Sequence, residues 1–321
     1  MRTRLGVVRY VAIVAAIVLA ACESSTAPSD DPGPSGTILF SSDRTGDFEI
    51  FSMRPNGTGL AQVTNASGLD IWGDTSPDGS KIVIESSRTG SSKLYVMNGG
   101  GTAAVNISGT ATDQYPSWSP DGRIAFTSTS RPAPSGGANG QVWVVISDGT
   151  DPTVPFGSGL LSFAAPDWGS NGTTVVVGVR SITQGADWNI WSTTVPWTPS
   201  TLNMFTVLTS GPSTDSFPRI SPNGARIVFH SDRSPSLSSS AADAPGGSLG
   251  RQASGGPKFD IYLMNADGSG QTNLTNHIGD DLYPDWSPDG EWVVFASNRT
   301  GNYEIFVMRA DGTRTGSGLN V

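Results

Sequence analysis

The chain has 321 residues, with 40 glycines, 22 prolines, two histidines, one cysteine and a formal net charge of −9 at pH 7. An acidic surface repels phosphate backbones and anionic headgroups, which disfavours nucleic acid and anionic lipid as main partners. A single thiol leaves no disulfide framework or redox pair, and two histidines are few for a mononuclear zinc or manganese site, which usually draws on two or three.

Residues 1–21 read as a signal peptide. Arg2 and Arg4 precede an apolar run from Val11 to Ala21, too short to span a bilayer comfortably and matched to a signal-peptide core. The run ends Leu19-Ala20-Ala21-Cys22 and resembles a bacterial lipobox. That resemblance implies lipidation of Cys22, export across the inner membrane, and a lipid anchor in the cell envelope on the periplasmic or outer-membrane side. Residues 22–36 are rich in Ser, Pro and Gly. They bury too little apolar surface to order themselves and predict a flexible tether in which Asp30 and Asp31 are solvated.

The segment 37–321 is ample for a large core and is built of repeats. Asp113-Gln-Tyr-Pro-Ser-Trp-Ser-Pro-Asp-Gly122 recurs as Asp281-Leu-Tyr-Pro-Asp-Trp-Ser-Pro-Asp-Gly290 and as Asp215-Ser-Phe-Pro-Arg-Ile-Ser-Pro-Asn-Gly224. Asp70 to Gly79 and Phe163 to Gly172 are weaker copies. Each copy leads into an apolar alternation (Ile82-Val-Ile84, Ile124-Ala-Phe126, Ile227-Val-Phe229, Val293-Val-Phe295), then an arginine, then a segment such as Glu304-Ile-Phe-Val-Met308. The arginines are Arg88, Arg131, Arg180, Arg233 and Arg299, with Arg44 in an N-terminal half-copy.

Each unit predicts four antiparallel strands. Ser-Pro-Asp-Gly is a turn between the first and second, with Pro and Gly where their backbone preferences are wanted. Asn56-Gly57, Asp148-Gly149, Asp267-Gly268 and Asp311-Gly312 turn the third into a weak fourth, as tight hairpins prefer. One such meander exposes two apolar faces. Six arranged radially bury them all, at about 48 residues per unit. The fold class expected is therefore all-β, a six-bladed β-propeller of four-stranded antiparallel blades. The first unit lacks its first strand, and the tail 313–321, the nearest substitute, matches the motif poorly.

The co-occurring Asp-x-x-Pro-x-Trp-Ser-Pro-Asp-Gly, arginine and Ile-Tyr-x-Met elements resemble the TolB-like propeller repeats over residues 37 to about 312. The resemblance implies a six-bladed propeller that binds partners with its face and channel. The N-terminal α/β domain of that family has no counterpart here, so the family's particular envelope role does not carry over.

Asp70 and Arg88, Asp113 and Arg131, Asp215 and Arg233, and Asp281 and Arg299 are each 18 residues apart. Folding about the turn brings each pair to one end of neighbouring strands. One reading is a partly buried ion pair locking each blade. The other is a ring of carboxylates at the channel mouth, holding a weakly bound cation such as calcium or a basic ligand.

Catalytic motifs are weak. Gly246-Gly-Ser-Leu-Gly250 has the Gly-x-Ser-x-Gly form, but the Ser/Gly/Ala-rich insert around it offers no preceding strand. His277 with Asp280 and Asp281 is one imaginable metal set, set against simple loop solvation. Trp118, Trp168 and Trp286 occupy one repeat position and read as core, which leaves Trp188 as the surface aromatic. The longest connections, 132–140, 181–187 and 234–258, share the end that carries the leading aspartates, and variable loops on a rigid frame are where binding usually lives. The expected function is a monomeric, non-enzymatic scaffold without cofactor or metal, docking an envelope protein or polymer. The alternatives are a glycan or small-ligand sensor and, behind it, a hydrolase or lyase.

Overall fold

The structure, a computed structural model, describes residues 34, 36–132, 140–150, 160–181, 187–195, 205–233 and 258–313, with the backbone alone at 13–14 and 153–156. Cys22, the Gly-x-Ser-x-Gly motif and most of the three long connections lie outside the described residues.

Every regular element among the described residues is a β-strand, and the strands form six antiparallel sheets. The first orders β1 (Ile13–Val14), β2 (Ile38–Ser42), β3 (Glu49–Met53) and β4 (Ala61–Gln62). The second holds β5 (Asp70–Thr75), β6 (Lys81–Ser86), β7 (Lys93–Asn98) and β8 (Val105–Asn106). The third holds β9 (Asp113–Trp118), β10 (Arg123–Ser128), β11 (Gln141–Ile146) and β12 (Thr153–Phe156). In the fourth are β13 (Leu161–Trp168), β14 (Thr174–Ser181), β15 (Asn189–Thr194) and β16 (Thr206–Val207). In the fifth are β17 (Asp215–Ile220), β18 (Arg226–Ser231), β19 (Asp260–Asn265) and β20 (Thr272–Asn273). The sixth has three strands, β21 (Asp281–Trp286), β22 (Trp292–Ser297) and β23 (Glu304–Arg309). The expectation of four strands in every unit thus holds for five of the six among the described residues. Ile13–Val14, from the segment read as a signal peptide, pair with β2 at the place of the first unit's missing first strand, and the tail beyond Thr313 lies outside the described residues.

Six apolar interfaces join the sheets in a ring. Leu39 and Ile50 meet Ile82 and Tyr95 between the first and second, and Val83 and Leu94 meet Trp118 and Phe126 between the second and third. The series continues through the third and fourth, the fourth and fifth, and the fifth and sixth. Ile38, Phe40 and Met53 then pack on Val294, Ala296 and Ile305, so the sixth sheet covers the first. Each sheet thereby buries both faces, which no single meander can do.

The turn motif is a hydrogen-bonding device. At Ser119-Pro-Asp-Gly122 the Gly122 N–H donates to the Ser119 carbonyl at 3.0 Å, and Gly122 has φ 90°. Ser119 Oγ accepts from the Arg123 N–H at 2.8 Å and donates to the Asp121 carboxylate. The same bonds recur at Ser76 with Asp78 and at Ser287 with Asp289. Serine and aspartate are therefore chosen to satisfy the turn's own backbone.

The 18-residue interval closes as an ion pair in four sheets: Arg88–Asp70 at 2.9 Å, Arg131–Asp113 at 2.7 Å, Arg299–Asp281 at 2.8 Å, and Arg233–Asp215. All four carboxylates have 0% side-chain exposure. Each arginine also lies over aromatic rings of its own sheet, Arg299 over Phe295 and Phe306 and Arg233 over Phe229 and Tyr262. Arg44 takes the same pose over Phe40 and Phe51, with Nε on Ser42 Oγ, but pairs with no aspartate among the described residues. Arg180 lies over Trp188, which is half-buried.

Removing one partner of a buried pair leaves the other charge uncompensated. Arg299→Ala is expected to destabilise the fold by about 3–5 kcal/mol, whereas Arg44→Ala, which strands no carboxylate, costs about 1 kcal/mol. Thermal melts of the two variants side by side check this, and equal losses would contradict it.

Candidate functional site

The first strand of the second to sixth sheets is the inner one, and all five inner strands carry the same irregularity. Pairing slips by one residue between Ile71 and Asp74 in β5, and β9, β13, β17 and β21 slip at the matching place. The bulged residues are Trp72, Tyr115, Ala165, Phe217 and Tyr283, all with φ between 51° and 54°. A bulky side chain in left-handed backbone is strained by about 1–2 kcal/mol, so five repeats of it require compensation.

Part of the compensation is a hydrogen bond from the preceding sheet. The Tyr115 N–H donates to Glu85 Oε2 at 3.2 Å, and the Tyr283 N–H donates to His230 Nδ1 at 3.1 Å. The rest is ring packing. Trp72 stacks on Phe217 at 4.9 Å between centroids, and Tyr283 meets Trp72 edge-on at 4.9 Å and Phe217 at 4.8 Å. Tyr115 closes the group at 5.2 Å from Trp72. Aromatic pairs at such distances each contribute about 0.5–1.5 kcal/mol beyond their burial. The inner strands thus converge on an aromatic tier, half-buried, where the sequence reading expected the channel.

Two residues further along each inner strand stand Asp74, Ser117, Asp167, Arg219 and Asp285, a polar tier. Arg219 is 3.4 Å from Asp167 and 3.8 Å from Asp285, and the three side chains are 12–15% exposed. Asp74 Oδ2 accepts from the Trp118 N–H at 2.6 Å and Asp167 Oδ2 from the Ile220 N–H at 2.7 Å, each bond crossing to the next sheet. Three carboxylates around one guanidinium oversupply negative charge. Burial, with the neighbouring carboxylates adding to it against Arg219, pushes Asp285 up to about 7. Burial likewise pushes Asp74 up to about 6, against its backbone bond and Arg219, and raises Asp167. Among the described residues no group of three or more His, Cys, Asp or Glu is placed to hold a metal ion.

His230 Nε2 lies 2.7 Å from Ser216 Oγ, a geometry that invites a serine nucleophile. The polarity is wrong. Nδ1 accepts a backbone N–H, so the neutral ring carries its proton on Nε2 and donates to Ser216. A catalytic histidine needs the reverse tautomer, with Nε2 free to take the serine proton. Burial holds His230 down at about 3, so it stays neutral at physiological pH. His277 uses Nδ1 to accept from the Gly279 N–H at 3.2 Å, a loop-bracing bond.

The leading Asp70, Asp113, Asp215 and Asp281 sit in the intrasheet ion pairs, and the carboxylates that share a tier are the fifth residues of the motif. The sequence shows them as variable positions on a strand whose other positions repeat. Trp118, Trp168 and Trp286 are buried, and Trp188 is covered by Arg180. At the leading end of the inner strands Leu69, Leu160 and Ile278 are exposed at 44%, 63% and 68%.

The TolB beta propeller domain family matches residues 58–248. An uncharacterized protein of Agrobacterium fabrum is 47% identical over 55 residues, which is 17% of this chain and 19% of that protein. A TolB homolog of Chlorobium luteolum is 33% identical over 72 residues, 22% of this chain and 16% of that one. The matches therefore span about a fifth of these relatives' lengths. The solved structure of a putative TolB from Agrobacterium tumefaciens superposes with a TM-score of 0.61 at 20% identity, over 81% of this chain and 83% of that one. That likeness concerns the fold.

An acid protonated in the folded chain and ionised in the unfolded one withdraws stability as pH rises. For Asp285 the window runs from the ordinary carboxylate value near 4 up to about 7. His230 works oppositely, adding stability as pH rises from about 3 to its ordinary 6.5. Asp285→Asn is expected to melt about 2–4 °C above the wild type at pH 8 and to converge with it at pH 4. Parallel thermal scans decide, and identical curves at pH 8 would sink the electrostatic account.

Proposed function

The chain belongs to the TolB beta propeller domain family, and on that premise we propose that it is a non-enzymatic binding scaffold, a six-bladed propeller of four-stranded blades held at the cell envelope. Six sheets joined in a ring of six interfaces support the blade count. Export and anchoring rest on the Leu-Ala-Ala-Cys22 segment. The partner class is an envelope protein or polymer met by a monomer, without a cofactor.

The observation that carries the reading is the employment of the reactive groups. His230 is fixed as a neutral donor to Ser216, His277 braces its own loop, and the leading aspartates balance arginines. Among the described residues, both histidines and the leading aspartates thus serve the framework. What varies between units is the loop end, where Leu69, Leu160 and Ile278 stand exposed and the long connections 132–140, 181–187 and 234–258 emerge. Exposed apolar groups at the rim of a rigid frame suit protein docking. A second reading, a sensor of a cation or small basic ligand, is favoured by the surplus negative charge of Asp74, Asp167 and Asp285 around Arg219.

The test is cross-linked capture from native envelopes with wild type and with Leu69→Ser, Leu160→Ser and Ile278→Ser combined. These exposed changes leave the melting temperature within about 2 °C. They are expected to reduce the captured partner severalfold. Undiminished capture would move the site away from this end.

A further inference from the structure

The seam between the sixth and first sheets is built differently from the other five. Elsewhere the inner strand has six or eight residues. In the first sheet it has two, and Ile13 and Val14 pair only with Phe40 and Leu39 of β2. The inner edge of β2 at Ser41 and Ser42 has no strand partner among the described residues, although β3 pairs with both from the outer side.

Three side-chain observations fall on the same seam. Arg44 is held in the pose of Arg88, Arg233 and Arg299. Its Nε is 3.0 Å from Ser42 Oγ and its guanidinium is 4.9 Å from the Phe51 centroid, yet among the described residues it has no counterpart of the carboxylate that each of those three receives from its inner strand. Glu304, at the head of β23, has Oε2 buried without a hydrogen-bond partner. The equivalent Glu49 accepts from Thr64 Oγ1 at 2.5 Å, and Asp260 accepts from Asn273 and from the His277 N–H, all from the stretch leading into the next inner strand. Finally, a small apolar crevice lined by Ile38, Trp292, Val294 and Val307 opens at the other end of the same strands.

We propose that this seam accepts an extended peptide strand of a partner polypeptide, added antiparallel to β2, with a carboxylate at its leading end for Arg44 and an aromatic residue two positions later. The chemistry of the occupant is read from the chain itself. Four inner strands lead with an aspartate that pairs with an arginine in Arg44's pose, and each of the four carries an aromatic ring two residues on, in the axial tier. Backbone bonding to a sheet edge supplies affinity, and the charge and ring select the sequence. Glu304 Oε2 gains the donor it lacks when the stretch preceding such a strand lies across the seam. The inference deepens the scaffold reading by naming the partner's chemistry, and it rests on that reading for the existence of a partner.

The probe is a fluorescent peptide of the sequence Asp-Leu-Tyr-Pro-Asp-Trp-Ser-Pro-Asp-Gly, titrated by anisotropy into the chain from Cys22 onward, the form that processing at the lipobox leaves, and into the full-length chain carrying Ile13→Pro and Val14→Pro. Proline offers no backbone donor and clears the edge. Saturable one-to-one binding is expected, weakened about tenfold or more by Arg44→Gln in the protein or by asparagine at the peptide's first position. Circular dichroism confirms that each variant keeps its strand signal. Failure to bind, or binding indifferent to Arg44→Gln, would overturn the inference. So would a doubled mass in light scattering, which would assign the slot to a second copy of the chain. A protein that still captures its partner through the loop end while ignoring the peptide would refute the seam alone and leave the scaffold reading standing.

Discussion

The arginine clamp is the interaction on which the frame depends. A carboxylate with no exposed surface is costly to ionise, and an arginine opposite it repays that cost only when its remaining donors and its flat faces are also used. Here Nε or the backbone N–H binds the serine two or three residues earlier, and the guanidinium plane rests on rings of the second and third strands. One side chain thereby ties three strands of a sheet together. The aspartate it holds starts the inner strand and donates its own N–H to the preceding sheet, as Asp70 does to the Phe48 carbonyl at 2.7 Å and Asp281 to that of Phe259 at 2.8 Å. The clamp therefore fixes the angle between neighbouring sheets as well as the sheet itself.

With the inner strands so placed, the axis is a consequence. The bulge in each of the five inner strands rotates the next residues, so the third motif position turns inward, as a ring in four strands and as Ala165 in β13, and the fifth as a polar group. Strain at five backbones is offset by ring contacts and by acceptors from the sheet before, Glu85 and His230. The same geometry explains why His230 is chemically quiet. A histidine recruited to accept a backbone N–H has its tautomer set by that bond, and the serine beside it becomes an acceptor rather than a nucleophile.

Much of this was legible in the sequence. The Ser-Pro-Asp-Gly turns, the strand alternations, the tryptophans of the core and the 18-residue interval are periodic, and each has a local cause. The axial tiers were not. A bulge is usually signalled by glycine, because glycine tolerates positive φ, and here the bulged residues are Trp72, Tyr115, Ala165, Phe217 and Tyr283. A single uncounted residue reverses which side of a strand faces inward, so attention fell on the leading aspartates instead of Asp74, Asp167 and Asp285. The bond from Tyr283 to His230 spans 53 residues, and no local pattern announces it. Ile13–Val14 reads as part of an apolar leader, and a β-branched pair inside a continuous apolar run does not by itself signal a strand.

The first sheet shows what the clamp contributes by lacking half of it. Its arginine, serine and aromatic pair are all in place, and its apolar face is packed against the sixth sheet as fully as any other. Hydrophobic burial is non-directional and suffices to bring the two sheets together. What is missing is the directional part, the carboxylate and the run of backbone bonds that a six-residue inner strand supplies elsewhere. Among the described residues the ring closes at this seam chiefly by apolar contact, and it is also where a polar site stands preorganised without its counterpart. Framework and recognition thus draw on the same chemistry. Four sheets complete the clamp as structure, and the first, whose Arg44 keeps its serine and its rings but meets no aspartate among the described residues, has the composition of a receptor.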